Sequence, residues 1–191
     1  MQKERTQKLA GIALFTALVA ILSYFGGFIK IGGLASISLT LIPVVLGAAM
    51  YGAVAGAWLG LVSGIVFFIT ADAAFWFGLD LAGTVITVLV KGAVAGLAAG
   101  LVYKLVSKKN EYLALILSAI VCPVVNTGIF LVGCLIFFMD TVSAGALNEG
   151  MSVGGYLIVA FVGLNFVFEL LANIIVSPAI YRVLKIGKKY R

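Results

Sequence analysis

Histidine is absent from this 191-residue chain, cysteine occurs twice, proline three times, and only 10% of the residues are charged. Without histidine or clustered cysteine the usual zinc sites are excluded, and no metal or cofactor is expected. Cys122 and Cys134 lie twelve residues apart in one apolar stretch. On a helix that is about 18 Å of rise, beyond disulfide reach, so both read as small buried side chains. There is no G-x-x-x-x-G-K-[ST] phosphate loop, so nothing suggests that the chain hydrolyses ATP itself. There is no G-x-S-x-G elbow and no H-E-x-x-H helix, and an enzyme is not expected. The inverted repeats of many secondary transporters are also missing, and no nucleic-acid partner is expected.

What the chain has is apolar surface: 63% of its residues are hydrophobic. A soluble domain is about half apolar and a quarter charged, and a water-soluble core of this size has no use for so much apolar surface. The charges are segregated, and the run 31–71 carries none. A spanning helix needs about 20 mostly apolar residues, so several fit. The basic start Met-Gln-Lys-Glu-Arg precedes about 20 apolar residues without a small-residue cleavage site. That segment is expected to stay as the first span.

Five apolar blocks stand out, at 9–29, 37–71, 81–103, 112–139 and 153–181. The second is too long for one span and short for two. Basic residues gather in cytoplasmic loops, and acids weigh little. The clusters Lys3/Arg5/Lys8, Lys104/Lys108/Lys109 and Arg182/Lys185/Lys188/Lys189/Arg191 fall on one side only if block two crosses twice, turning near Gly52–Gly56. Eleven of the thirteen basic residues are then cytoplasmic, the exceptions being Lys30 in the first external loop and Lys91 inside a span. The expectation is an all-α polytopic membrane protein, one domain over 1–191, with six transmembrane helices and both termini cytoplasmic. The helices fall at approximately 8–29, 37–52, 54–71, 81–105, 112–139 and 153–184. External loops at 30–36, 72–80 and 140–152 are long enough to act as lids.

Small residues repeat at every fourth position: Gly52/Gly56/Gly60/Gly64, Gly92/Gly96/Gly100 and Ala13/Ala17. Such stripes let helix backbones approach closely in lipid. The glycine rows read as internal packing. The Ala13/Ala17 stripe can face either the bundle or a partner.

Ionisable groups at mid-bilayer are costly unless paired or hydrated, which makes Lys91 and Glu169 candidates for function. Glu169 shares a helix face with Asn165 and Asn173. Asn126 and Thr127 follow Pro123, which removes an amide donor from its helix. One reading is a structural Lys91–Glu169 ion pair with bridging asparagines. The favoured one is a ligand pocket, because Lys91, Asn126, Asn165 and Glu169 come from three helices at similar depth. They lie beneath external segments carrying Tyr24, Phe75, Trp76 and Phe77, and convergent polar groups under aromatic walls suit a small ligand. Lys91 can receive a carboxylate as a point charge, and the asparagines can serve hydroxyls or amides.

The stretch Ile37-Ser-Leu-Thr-Leu-Ile-Pro43-Val-Val-Leu-Gly47-Ala, with the glycine row after it, resembles the substrate-binding (S) components of energy-coupling factor (ECF) vitamin transporters. So do Pro123-Val-Val-Asn126-Thr-Gly-Ile-Phe130 and Asn165-Phe-Val-Phe-Glu169-Leu-Leu-Ala-Asn173 with Ser177-Pro178. Ala13 and Ala17 match the motif by which such components dock on a transmembrane coupling subunit. The likeness covers nearly the whole chain. It implies six helices, a vitamin pocket near the external face, and partners comprising one coupling subunit and two ATPases. It also implies that the loaded component topples in the membrane to release its cargo inside. The chain lacks the signatures of riboflavin or thiamine binders and looks closer to the group that includes pantothenate components. A carboxylate on Lys91 suits that substrate. The alternative is a stand-alone proton- or ion-coupled carrier with Glu169 as the coupling carboxylate.

Overall fold

The structure, a computed structural model, describes residues 2–26 and 39–189, and every regular element among them is helical. The main helices in chain order are α1 (Gln2–Gly26), α2 (Leu41–Tyr51), α3 (Ala53–Phe67), α5 (Leu81–Val106), α6 (Glu111–Phe137) and α9 (Gly163–Lys189). Shorter elements intervene: α4 (Ala71–Leu79), α7 (Met139–Asn148), α8 (Val153–Tyr156) and a π-helical turn at Leu157–Val162. The expected first loop at 30–36, with Lys30, lies outside the described residues, as does the Asn165 side chain.

Among the described residues, Glu4–Gly26, Leu81–Val106 and Glu111–Phe137 are each long and apolar enough to cross a membrane. The pair Ala53–Phe67 and Ala71–Leu79 makes a fourth candidate, bent by 84°. This count of three or four is lower than six because α2 and the apolar part of α9 are short. The eleven residues of α2 rise about 16 Å, roughly half of a hydrocarbon core. The segments 72–80 and 140–152, expected to be loops, are largely helical as α4 and α7.

Block two does reverse. Gly52 sits at φ 99°, a backbone open to glycine and strained for other residues, and it separates α2 from α3. Ala48 then meets Gly56 and Gly47 meets Leu59, the pairing of an antiparallel hairpin.

The glycine rows join α3 to α5. Gly56 lies against Gly96, Gly60 against Gly92, Gly64 against Val88, and Gly100 against Ala53. In each glycine pair the backbone carbonyl of either residue occupies the place a Cβ on the other would take. Van der Waals contact of this closeness holds helices together where lipid offers no hydrophobic gain. Gly52 ends the row as the break rather than as a contact.

The core around this seam contains Phe15 and Val19 of α1, Val44 and Val45 of α2, Leu59 of α3, Ala95 and Ala99 of α5, and Leu115 and Cys122 of α6. Cys122 and Cys134 are buried and free. Polar ties cross between helices. Ser23 Oγ of α1 donates to Ser63 Oγ of α3 at 3.1 Å, and Ser118 of α6 donates to the Ala99 carbonyl of α5 at 2.9 Å. Asp80 caps α5 by accepting from Gly83 N at 2.8 Å, and Asn110 caps α6 by accepting from Leu113 N at 3.0 Å. Pro123 is buried inside α6, which runs on through it.

Candidate substrate pocket and docking face

Helices α5 and α6 run antiparallel, and their contacts follow one register. Gly83 faces Phe137, Thr87 faces Gly133, and Lys91 faces Phe130. The Lys91 ammonium lies over the Phe130 ring, 4.8 Å from its centroid. A cation facing a ring away from water gains up to about 2 kcal/mol, which offsets part of its lost hydration. The charges of Lys91 and Glu169 act on each other. Glu169 is buried at 7% exposure and also acts on Cys122, one turn before Asn126 on α6. Ammonium and carboxylate thus share one neighbourhood across α5, α6 and α9.

Aromatic side chains roof the Lys91–Phe130 pair. Trp76 of α4 meets Phe130 edge-on, with centroids 5.4 Å apart, and meets Phe138 at 5.2 Å. Phe75 stacks edge-on against Trp76 at 5.4 Å, while Phe77 leans on Phe68 at 5.6 Å. Thr84 fixes α4 in place, sharing its hydroxyl hydrogen between the carbonyls of Trp76 (2.9 Å) and Asp80 (2.7 Å). Phe138, Cys134, Val142 and Leu157 form a second buried cluster beneath α7 and α8, with Trp76 and Phe130 packed on it.

Asn126 and Thr127 are half-buried one turn from Phe130, and neither side chain makes a hydrogen bond among the described residues. Asn173 is buried; its Nδ2 donates to the Glu169 carbonyl at 2.8 Å, and its Oδ1 has no hydrogen-bond partner among the described residues. Tyr24 lies at the end of α1, 44% exposed, its ring edge-on to Phe25 at 5.5 Å. Lys91, Phe130 and Trp76 are therefore in one contact chain, and Glu169 is within electrostatic reach. Phe130, Phe138, Thr84 and Thr87 carry no role in the sequence reading. Phe130 was within reach of it, lying one turn from Asn126 on the same helix face.

On α1 the buried side is Phe15 and Val19, with Gly11 against Tyr51. Ala13 and Ala17, displaced by two residues and so about 200° around the helix, are exposed. They line a shallow groove of about 440 Å³ with Leu9, Ile12, Thr16, Ala20 and Trp58. Trp58 of α3 walls it, donating from Nε1 to Thr16 Oγ1 at 3.1 Å. The stripe faces away from the bundle.

An apolar helical bundle with helices long enough to cross a membrane is the architecture of a membrane protein. The family model described as ECF transporter, substrate-specific component, matches residues 7–184, and the chain belongs to that family. It is therefore a transporter subunit rather than an enzyme. No curated protein matches the chain.

Proposed function

We propose that this subunit captures a water-soluble vitamin outside the cell, with pantothenate the leading candidate, and delivers it to an ATP-driven importer in the plasma membrane. Lys91 carries the reading. It is an ammonium placed in an apolar bundle over Phe130, with the Glu169 carboxylate in electrostatic reach. Such a cation is expensive in a membrane unless a ligand or partner answers it, and a substrate carboxylate answers it. Asn126, Thr127 and Asn165 would serve the substrate's hydroxyl and amide groups, Glu169 would accept from a hydroxyl, and Trp76 and Tyr24 would cover the entrance.

In this reading six spans with cytoplasmic termini put α4 and α7 outside, above the pocket. The distribution of basic residues supports that orientation, and so does the reversal at Gly52. The groove over Ala13 and Ala17 receives the coupling subunit, and two ATPases bound to that subunit supply the energy for which this chain has no phosphate loop.

Mass spectrometry of small molecules released on denaturing the purified protein tests the proposal. Wild type should yield a carboxylate-bearing vitamin that Lys91→Met does not retain. A wild-type protein that retains nothing and does not bind added pantothenate overturns it.

A further inference from the structure

A helical serine or threonine ordinarily returns its hydroxyl hydrogen to the carbonyl one turn back. Here Thr16 does so to Ile12 at 2.8 Å, Thr84 to Asp80 at 2.7 Å, Ser118 to Ala114 at 2.8 Å and Ser177 to Asn173 at 2.7 Å. Thr87 is different. It is 3% exposed, and its Oγ1 has no hydrogen-bond partner among the described residues. Burying a hydroxyl without a partner forfeits its hydration for nothing in return, so this atom is either a defect or a group kept for something that arrives.

Its place favours the second. Thr87 is one turn before Lys91 on the same side of α5, about 6 Å along the axis. Across the seam it lies against Gly133 of α6, whose missing side chain leaves the room that the Thr87 methyl and hydroxyl fill. Gly133 is followed by Cys134, which senses the Lys91 charge, and lies one turn from Phe130, which faces the ammonium. The unanswered hydroxyl and the ammonium thus lie along one seam, on the α4 side of the bundle.

We propose that Thr87 is a specificity-determining residue of the pocket, exchanging a hydrogen bond with a hydroxyl or amide of the substrate about one helical turn from the anionic group held by Lys91. This rests on the reading of Lys91 as an anion receptor. It narrows the substrate class to small carboxylates that carry a polar group several bonds away, and it disfavours simple aliphatic acids.

The test uses full-length protein in detergent, radiolabelled pantothenate as probe, and the variants Thr87→Val, Thr87→Ser and Lys91→Met. Thr87→Val keeps the shape and removes the hydroxyl, so pantothenate should bind about tenfold more weakly or worse. The ligand-free melting temperature should hold or rise, because an unsatisfied polar atom is gone. Thr87→Ser keeps the hydroxyl and should bind within about twofold of wild type. A purely packing role predicts the reverse order, since serine loses the methyl that fills the space at Gly133. Thr87→Val binding as tightly as wild type, with Lys91→Met defective, overturns the role of Thr87 and leaves the anion receptor standing. Unimpaired binding by all three variants, or no binding by wild type, overturns the anion receptor and the Thr87 proposal with it.

Discussion

Gly60 and Gly92 stand in each other's side-chain space, so that a Cβ on either would meet the backbone carbonyl of the other. Neither helix can give way locally, because Gly56 and Gly96 repeat the arrangement one turn along. Gly60→Leu should therefore destabilise the bundle by about 1–3 kcal/mol, read as a lower melting temperature in detergent. Gly78→Ala, at a position with nothing within 4 Å of the added carbon, should leave that temperature unchanged. Equal melting of wild type and Gly60→Leu would mean that the seam opens at little cost.

The exposure of Ala13 and Ala17 separates binding from transport. Ala13→Trp combined with Ala17→Trp fills the groove and holds any partner helix away. ATP-driven uptake and co-purification with the coupling subunit should both be lost, while pantothenate affinity and melting temperature stay at wild-type values. Normal uptake by the double variant would remove this face from docking.

Asn126 offers an amide without a hydrogen bond among the described residues, one turn from the ring that faces Lys91. Asn126→Ala should weaken pantothenate binding by about 1–3 kcal/mol, measured by titration calorimetry. The alcohol analogue of pantothenate, lacking the carboxylate, should bind wild type poorly and Lys91→Met no worse than it binds wild type. Full-strength binding of the alcohol would show that Lys91 is not the anion receptor.

Orientation is open to cysteine labelling, because the native Cys122 and Cys134 are buried. Asn148→Cys on α7 should react with a membrane-impermeant maleimide added outside cells, and Lys108→Cys only after permeabilisation. Both positions are exposed, whereas the nearby Ala146 is buried at 2% and would report nothing. External labelling at 108 would sink the six-span topology.

The parts of this molecule legible in sequence are those set by charge and by backbone contact. The reversal at Gly52 followed from where lysines and arginines cluster, and the α3–α5 seam from glycines every fourth residue. Lys91 and Glu169 stand out in the sequence as lone charges in apolar runs, and both lie within the bundle. Other features have no such signature. Helices α4 and α7 occur where glycine and aromatic content reads as loop, and they pack on the bundle through Trp76 of α4 and Val142 of α7. Phe130 and Thr87 are residue types equally at home facing lipid, so only the pairing of α5 with α6 reveals what each one meets. The direction of the Ala13/Ala17 stripe depended on Phe15, Val19 and Gly11, whose partners lie on other helices.

Helix α3 bears Trp58 at the groove and, through its glycines, grips α5, the helix that carries Lys91. Interlocked backbones of this kind slide only by first separating, so the two helices behave as a single beam. A displacement of α3 at the groove wall therefore carries the backbone of Lys91 with it.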